Sequence, residues 1–230
     1  MNKSMSTPRL KKIIDYVNTR VAADIGTDHA YVPIELIKSG RAERVIASDV
    51  RQGPLDIAKG NIEQNGLSDK IETRLGSGLS VLSPKEADTI IIAGMGGELI
   101  ADILLKDDET ARQAELILQP MNSQYELRRR LIDNNYTIVK EELENEGKRI
   151  YNFLIVRSGR MQPYPKDIDY HLPPELYPHP KFFMLADKKE CEFNKIIRGI
   201  ERSREPDTEK MKYYKERLND LEMIKNDYCK

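Results

Sequence analysis

Long apolar segments are missing from this chain of 230 residues, and so are tryptophan and any metal-binding pattern of cysteines. No run approaches the roughly 20 apolar residues that a membrane-spanning helix needs, and residues 1–5 lack the apolar core of a secretory signal. The two cysteines, Cys191 and Cys229, are far apart and form no ligand pattern. These absences predict a soluble, cytoplasmic protein with reduced thiols that binds neither a membrane nor a metal ion.

An excess of positive charge is also missing. The 37 lysines and arginines are balanced by 38 aspartates and glutamates, which gives a net charge of −1. This balance excludes a protein whose whole surface attracts nucleic acid, so any RNA must bind to a local basic patch. The length suits one α/β domain of ordinary size with a smaller second part.

The turn after the first predicted strand has few glycines. Residues 21–31 read VAADIGTDHAY, so a small apolar strand runs into Asp24 and turns at Gly26. A pyrophosphate needs the pattern G-x-G-x-x-G, and Asp28 stands where the second glycine would fall. A carboxylate there would repel a diphosphate but not a cationic cofactor without phosphate. The turn therefore favours S-adenosylmethionine over a dinucleotide.

Two further strand ends complete the predicted cofactor site. The second strand ends in Asp49, which is expected to accept both ribose hydroxyls, while Asp24 helps to hold the amino group of the cofactor. Glycines on both sides of Ser77 let the backbone approach an adenine ring. The predicted cofactor-binding residues are Asp24, Gly26, Thr27, Asp49, Val50, Gly76, Ser77, Gly78, Gly94 and Met95.

A glycine-rich turn follows the fourth strand, where the methyl group should emerge. Residues 94–97 read Gly-Met-Gly-Gly, which leaves backbone groups open to a flat substrate. The Asn/Asp-Pro-Pro-aromatic sequence that grips an exocyclic amine is absent, which argues against methylation of such an amine. Residues 119–122, after the fifth strand, are expected to line the opposite wall, with Asn122 able to hydrogen-bond a base edge.

The residues just past the first turn are expected to face the methyl donor. His29 can stack on a base or relay a proton while Asp28 orients it; alternatively, His29 only packs or caps the following helix. A ring nitrogen already carries a lone pair, so positioning can supply most of the rate. The predicted catalytic residues are Asp28, His29 and Asn122.

Two basic clusters are candidates for phosphate binding. Residues 9–12 lie on a first helix that Thr7 and Pro8 are predicted to begin, and residues 128–130 lie on a helix that a capping box of Ser123 and Glu126 would open. Consecutive arginines fan around a helix, so they cannot all face one partner, and a solvated face is the alternative. The predicted substrate-binding residues are Arg9, Lys12, Gly96, Gly97, Gln119, Pro120 and Arg129.

The order of strand and helix patterns predicts an α/β fold. The apolar runs at 90–93 and 116–118 are typical of parallel strands buried on both faces. The runs at 136–139 and 150–156 flank a polar turn and predict an antiparallel hairpin at the end of the sheet, as methyltransferases have and dinucleotide dehydrogenases usually lack. Proline-rich sequence then predicts a linker, and apolar spacing beyond it predicts two antiparallel helices in a small coiled coil.

Three segments together resemble the bacterial tRNA (adenine-22 N1)-methyltransferases, the TrmK-like family. They are DIGTDHAY at 24–31, IAGMGGELI at 92–100 and LILQP at 116–120. The resemblance implies a Rossmann-like class I methyltransferase domain at 1–160, with a seven-stranded, mostly parallel sheet and an antiparallel last strand. It also implies a coiled-coil domain at 161–230 that helps to grip tRNA.

The reaction that the resemblance implies is methyl transfer from S-adenosylmethionine to N1 of an adenine in the D-arm region of tRNA. N1 lies on the Watson–Crick edge, so the base must be unpaired or pulled out before it reacts. A methyltransferase acting on a small molecule or a protein, an NAD-binding oxidoreductase and a non-catalytic RNA-binding module remain alternatives. We expect a monomer or a weak dimer.

Overall fold

The computed structural model describes residues 7–228, which divide into two compact units between Pro163 and Tyr164. Cys229 and residues 1–5, on which the prediction about a secretory signal rests, lie outside the described residues. Every helix within 7–228 is too short or too polar to cross a bilayer. Cys191 is an exposed free thiol.

Seven strands of the first unit form one sheet. They are β1 (Thr19–Ile25), β2 (Ala42–Asp49), β3 (Ile71–Leu75), β4 (Thr89–Met95), β5 (Glu115–Pro120), β6 (Tyr136–Glu146) and β7 (Arg149–Ser158). The order across the sheet is β3-β2-β1-β4-β5-β7-β6. The first five strands pair in parallel, and β7 is antiparallel to both β5 and β6, which confirms the predicted fold. The strand order reverses between β1 and β4, and this is the switch point where open α/β sheets bind ligands.

Six helices of the first unit accompany this sheet. They are α1 (Pro8–Tyr16), α2 (Tyr31–Lys38), α3 (Gln52–Gln64), α4 (Gly97–Lys106), α5 (Asp108–Ala111) and α6 (Gln124–Asp133). The core has two apolar layers, one on each face of the sheet. Ile90 and Ile92 enter one layer and Ile91 enters the other, because neighbouring side chains of a strand point to opposite faces. Burial on both faces explains the unbroken apolar runs of β4 and β5.

The two predicted helix caps have different outcomes. Thr7 caps α1 as predicted, since its hydroxyl accepts a hydrogen bond from the Leu10 amide and Pro8 is the first helical residue. The capping box of Ser123 and Glu126 is wrong. Ser123 has φ +50°, and its side chain makes no capping bond, because a capping box needs extended backbone at the first position.

The hairpin that ends the sheet is longer than predicted. The strands β6 and β7 pair from Tyr136–Ser158 to Glu146–Arg149, so the turn is only Gly147 and Lys148. Gly147 has φ +58°, a left-handed conformation that favours glycine. The polar residues before Gly147, which the sequence places in the turn, belong to β6.

The second unit contains two long helices, α7 (Phe182–Glu201) and α8 (Thr208–Tyr228), that pack against each other. Phe193 contacts Tyr214 with ring centres 5.5 Å apart, and Lys225 binds Asp187 at 2.6 Å, so the helices are antiparallel. The proline-rich segment before them is more ordered than a linker. It contains two short 3₁₀ helices, Asp167–Tyr170 and Pro174–Leu176.

Candidate active site

A cavity of about 710 Å³ opens at the carboxyl ends of β1, β2 and β4. Most of the predicted cofactor-binding residues line this cavity, together with one predicted catalytic residue and one predicted substrate-binding residue. These are Asp24, Gly26, Asp49, Val50, Gly76, Ser77, Gly78, Gly94 and Met95, then Asp28 and Arg9. Thr27 is buried behind the cavity, where its amide donates to the Ser48 carbonyl oxygen at 2.7 Å.

Asp24 ends the central strand β1 and has little contact with solvent. Burial raises the pKa of Asp24 to about 6, and the neighbouring Thr27 hydroxyl acts in the opposite direction. The ionised form is therefore costly in the ligand-free protein. A cationic group in the cavity would favour that ionised form.

Asp49 ends the adjacent strand β2 and is also buried. Its Oδ1 accepts a hydrogen bond from the Arg51 amide at 2.8 Å, which fixes the orientation of the carboxylate. Its Oδ2 has no hydrogen-bond partner within residues 7–228. Val50, next to it, is a largely exposed apolar side chain in the cavity wall. The pair can thus offer an acceptor oxygen and a flat apolar contact to one ligand.

Glycines shape the wall where the backbone must come close to a ligand. Gly26 and Gly94, at the ends of β1 and β4, both have φ +78°, which a side chain rarely tolerates. A Cβ atom at Gly26 would also lie 2.1 Å from the Met95 methyl group. On the other side, the Gly76 amide donates to the Asp49 carbonyl oxygen and joins the loop after β3 to the end of β2.

The loops after β4 and β5 are joined by their backbones. The Gly97 amide donates to the Asn122 carbonyl oxygen at 3.1 Å, and the Met121 amide donates to the Met95 carbonyl oxygen at 2.8 Å. A Cβ atom at Gly97 would lie 2.2 Å from the Ser123 carbonyl oxygen. The glycines of this turn therefore permit loop packing, and Gly96, Gly97 and Asn122 lie beside the cavity rather than in its wall.

We predict that Gly97→Ala destabilises the protein by about 1–3 kcal/mol, since the added methyl group overlaps a backbone oxygen. Urea unfolding measures this change. The control is Gly60→Ala in the middle of α3, where a Cβ atom has no neighbour within 4 Å. That substitution should stabilise the protein by about 0.5–1 kcal/mol. Equal effects of the two substitutions would contradict the loop-packing explanation.

The structure separates the two residues that follow the first turn. Asp28 lines the cavity, whereas His29 does not. The His29 ring stacks on Tyr31 with centres 5.2 Å apart, and its Nε2 lies 3.3 Å from Asp28 Oδ1. His29 and Ala30 have φ +59° and +55°, and such consecutive non-glycine strain is typical of functional sites. Tyr31 lines the cavity and was missed, because it also fits the apolar pattern of α2.

The buried residues of the β5 end have a supporting role. Gln119 and Pro120, predicted to line the wall, are buried and lie outside the cavity lining. Instead, Arg9 Nη1 donates to Gln119 Oε1 at 2.8 Å, so Gln119 fixes a side chain that does line the cavity. Leu99 and Ile103 of α4 also line it, and neither is predicted from the sequence, because helical apolar residues usually belong to the core.

The other predicted basic residues differ in exposure and partners. Lys12 forms an ion pair with Glu142 at 3.2 Å. Arg129 is exposed, and its Nη1 donates to the Tyr125 hydroxyl at 2.9 Å. Neither residue lines the cavity, so any contact that they make with a substrate lies outside it.

A Rossmann-like sheet with carboxylates at the ends of β1 and β2, a hairpin at β6–β7 and no phosphate-binding glycine pattern defines a class I methyltransferase. The methyltransferase-domain family matches residues 6–154. The Bacillus subtilis tRNA (adenine(22)-N(1))-methyltransferase is 39% identical over 162 residues, which are 69% of this chain and 68% of that protein. The chain belongs to the bacterial TrmK family of tRNA m1A22 methyltransferases.

Solved structures of relatives agree with this assignment over 96% of the chain. Streptococcus pneumoniae Sp1610 in complex with S-adenosyl-L-methionine is 31% identical, with a TM-score of 0.84 over 96% of this chain and 99% of that one. M. capricolum TrmK in complex with S-adenosyl-homocysteine is 26% identical, with a TM-score of 0.78 over 96% and 98% of the two chains.

Proposed function

We propose that this protein transfers a methyl group from S-adenosylmethionine to N1 of adenine 22 in tRNA. One observation carries the proposal: carboxylates at the ends of β1 and β2 line a cavity that has no phosphate-binding turn. Such a lining repels a diphosphate and favours a cationic donor. The activity that the B. subtilis relative is named for, and the S-adenosyl-L-methionine and S-adenosyl-homocysteine complexes of other relatives, support it.

The residues of the cavity fit this cofactor. Asp49 has an oriented carboxylate with a free Oδ2 and would accept hydrogen bonds from the ribose hydroxyls. Val50 would pack on the adenine, and the backbone at 76–78 would lie beside its edge. Asp24, as an ionised carboxylate, would hold the cationic amino group of the cofactor. When bound, S-adenosylmethionine supplies a methyl group on a sulfonium that an in-line nucleophile can accept.

The acceptor would enter beside the joined loops after β4 and β5. Asn122 is exposed there and can hydrogen-bond the edge of an adenine that has left its base pair. N1 carries a lone pair and needs no general base, so alignment supplies most of the acceleration. Methylation at N1 leaves positive charge on the base. Asp28 would stabilise that charge with its carboxylate, and His29 would orient Asp28.

Contacts outside the cavity would hold the rest of the tRNA. Arg129 is exposed on α6 and Lys12 lies on α1, so both are candidates for phosphate contacts, together with the helical unit 164–230. We propose that residues 1–160 carry catalysis and that 161–230 help to grip tRNA. A tRNA substrate also implies a cytoplasmic enzyme, which we propose acts as a monomer or a weak dimer.

The test is to incubate the protein with methyl-labelled S-adenosylmethionine and unmodified tRNA, and then to identify the labelled nucleoside. We expect label in N1-methyladenosine with a transcript that has adenine 22, and none with a matched transcript that has guanine 22. Label in another nucleoside, or none despite measured binding of the cofactor, would contradict the proposed acceptor.

A further inference from the structure

The hairpin of β6 and β7 extends beyond the neighbouring strand β5 at the edge of the sheet where the cavity opens. The last pair between β5 and β7 is Leu118 with Leu154. From this pair β5 continues only to Pro120, whereas β7 extends back to Arg149. At about 3.3 Å per residue, the end of the hairpin therefore projects roughly 10 Å past the carboxyl end of β5. We call residues 146–149 the hairpin tip.

The hairpin tip is joined to the cavity wall through one residue of α1. Glu146 Oε1 accepts a hydrogen bond from the Arg9 amide at 3.0 Å, and the side chain of Arg9 lines the cavity. The guanidinium carbon of Arg9 also lies 5.8 Å from the centre of the Tyr151 ring of β7. These two contacts place the tip beside the cavity at the first turn of α1. A polymer whose reacting group enters the cavity would therefore pass close to the tip.

The tip carries two exposed cations, Lys148 in the turn and Arg149 at the start of β7. Arg149 stands opposite Glu146 in the hairpin, where opposite charges attract. The Glu146 carboxylate, however, is bound to the α1 amide instead. In the part of the chain that the structure describes, no carboxylate lies within 4.0 Å of either cation. By contrast, Lys12 on α1 forms an ion pair with Glu142.

Two adjacent exposed cations suit a polyanion better than a single small anion. A small anion needs donors that converge on one point, whereas residues around a turn spread their charges. Spread charges fit successive phosphates of a strand, and binding to a polyanion gains further from the release of its counterions. An acidic protein segment also offers repeated charge. The reacting group enters the neighbouring cavity, however, so the polyanion attached to that group is the expected partner.

We infer that the hairpin tip binds the RNA backbone at the phosphates next to the target adenine, through Lys148 and Arg149. The inference rests on the proposed function, because it takes tRNA as the substrate. It assigns an RNA contact to the hairpin, whereas the basic clusters predicted from the sequence lie on α1 and α6. The tip holds the strand that carries the acceptor, and the chemistry stays in the cavity.

The test compares two double variants that remove the same charge. The tip variant combines Lys148→Gln with Arg149→Gln. The control combines Arg20→Gln with Lys70→Gln, which removes two exposed cations near the amino ends of β1 and β3, at the opposite edge of the sheet. Binding of tRNA is measured with S-adenosylhomocysteine present, at several salt concentrations. We expect the tip variant to bind tRNA about 5- to 30-fold more weakly, with a salt dependence reduced by about two phosphate contacts, and the control less than about 2-fold more weakly.

A tRNA with one neutral methylphosphonate linkage beside adenine 22 tests where the contact lies on the RNA. This linkage should weaken binding to the unmodified protein and to the control but not to the tip variant, which no longer uses the missing charge. In the tip variant, the KM for tRNA should rise, while kcat at saturating tRNA should change less than about 2-fold. S-adenosylhomocysteine should bind to it with unchanged affinity.

Several outcomes would overturn the inference. Equal weakening by the two double variants would mean that tRNA responds to the net charge of the protein rather than to the tip. An equal effect of the methylphosphonate on all three proteins would place the contact away from the target adenine. Weaker binding of S-adenosylhomocysteine in the tip variant would mean that the tip only supports the cavity. If the unmodified protein neither binds nor methylates tRNA, the proposed function fails as well, so the two failures are distinguishable.

Discussion

Replacing Asp24 with asparagine should stabilise the ligand-free protein and remove most of its affinity for S-adenosylhomocysteine. Burial raises the pKa of Asp24 to about 6, from an ordinary value of 3.8. This difference corresponds to about 3 kcal/mol of free energy of unfolding at neutral pH, lost because the buried group must ionise. Asparagine has nearly the same shape and no charge, so Asp24→Asn should recover about 1–3 kcal/mol.

The pH dependence follows from the direction of the same pKa change. Between about pH 4 and pH 6 the folded protein keeps a proton on Asp24 that the unfolded chain has lost. The free energy of unfolding should therefore decrease as the pH rises through this range and level off above it. In Asp24→Asn this decrease should be smaller by about 2–3 kcal/mol. Urea unfolding at a series of pH values measures both proteins.

Ligand affinity should change in the opposite direction. In the proposed complex the ionised carboxylate of Asp24 binds the amino group of the ligand, so the unmodified protein should lose affinity below about pH 6, by up to about tenfold per pH unit. Asp24→Asn should bind weakly at every pH. The matched control is Asp69→Asn, an exposed aspartate in the loop before β3, which should change neither property. A loss of stability in Asp24→Asn at neutral pH would contradict the assigned cost of ionisation.

Prediction from the sequence succeeded where the determining interactions are local or periodic. The apolar runs of β4 and β5 identify central strands, because burial on both faces leaves no polar position. Asp24 and Asp49 each end a short strand, and parallel strands bring their carboxyl ends to one edge of the sheet. That geometry suffices to predict that Asp24 and Asp49 line one cavity before any tertiary contact is known.

Prediction failed where a residue is controlled by a distant part of the chain. Gln119 meets Arg9 across 110 positions, and no local pattern relates an amide at a strand end to an arginine on the first helix. Ser123 has the spacing of a capping box. In the fold, however, its backbone is left-handed and its carbonyl oxygen packs against Gly97, so the side chain does not cap the helix. Tyr31 fits the apolar pattern of the helix α2, but its side chain lines the cavity. These contacts decide which atoms face a ligand.

Removing the side chain of Arg128 should destabilise the protein far more than removing either neighbouring arginine. Arg128 is fully buried, and its guanidinium binds Glu141 of β6 by two hydrogen bonds, one of them from Nε at 3.0 Å. Asn152 of β7 donates to the same carboxylate at 2.8 Å. Arg128→Ala would leave the Glu141 charge buried with only an amide beside it, and breaking a buried pair in this way costs about 3–5 kcal/mol.

The neighbouring arginines provide matched controls for this prediction. Arg129 is exposed, and Arg130 binds Asp102 in a solvent-accessible pair, so Arg129→Ala and Arg130→Ala should each cost less than about 1 kcal/mol. Arg128→Met combined with Glu141→Leu removes both buried charges and should be much less destabilising than Arg128→Ala alone. Urea unfolding of the four variants separates these cases.

Similar losses of unfolding free energy in all three alanine variants would show that the helix α6, rather than the buried pair, determines the loss of stability. With the expected result, three identical adjacent residues have different roles because the helix turns each one toward a different environment: Arg128 joins α6 to the hairpin, Arg129 is exposed, and Arg130 pairs with Asp102.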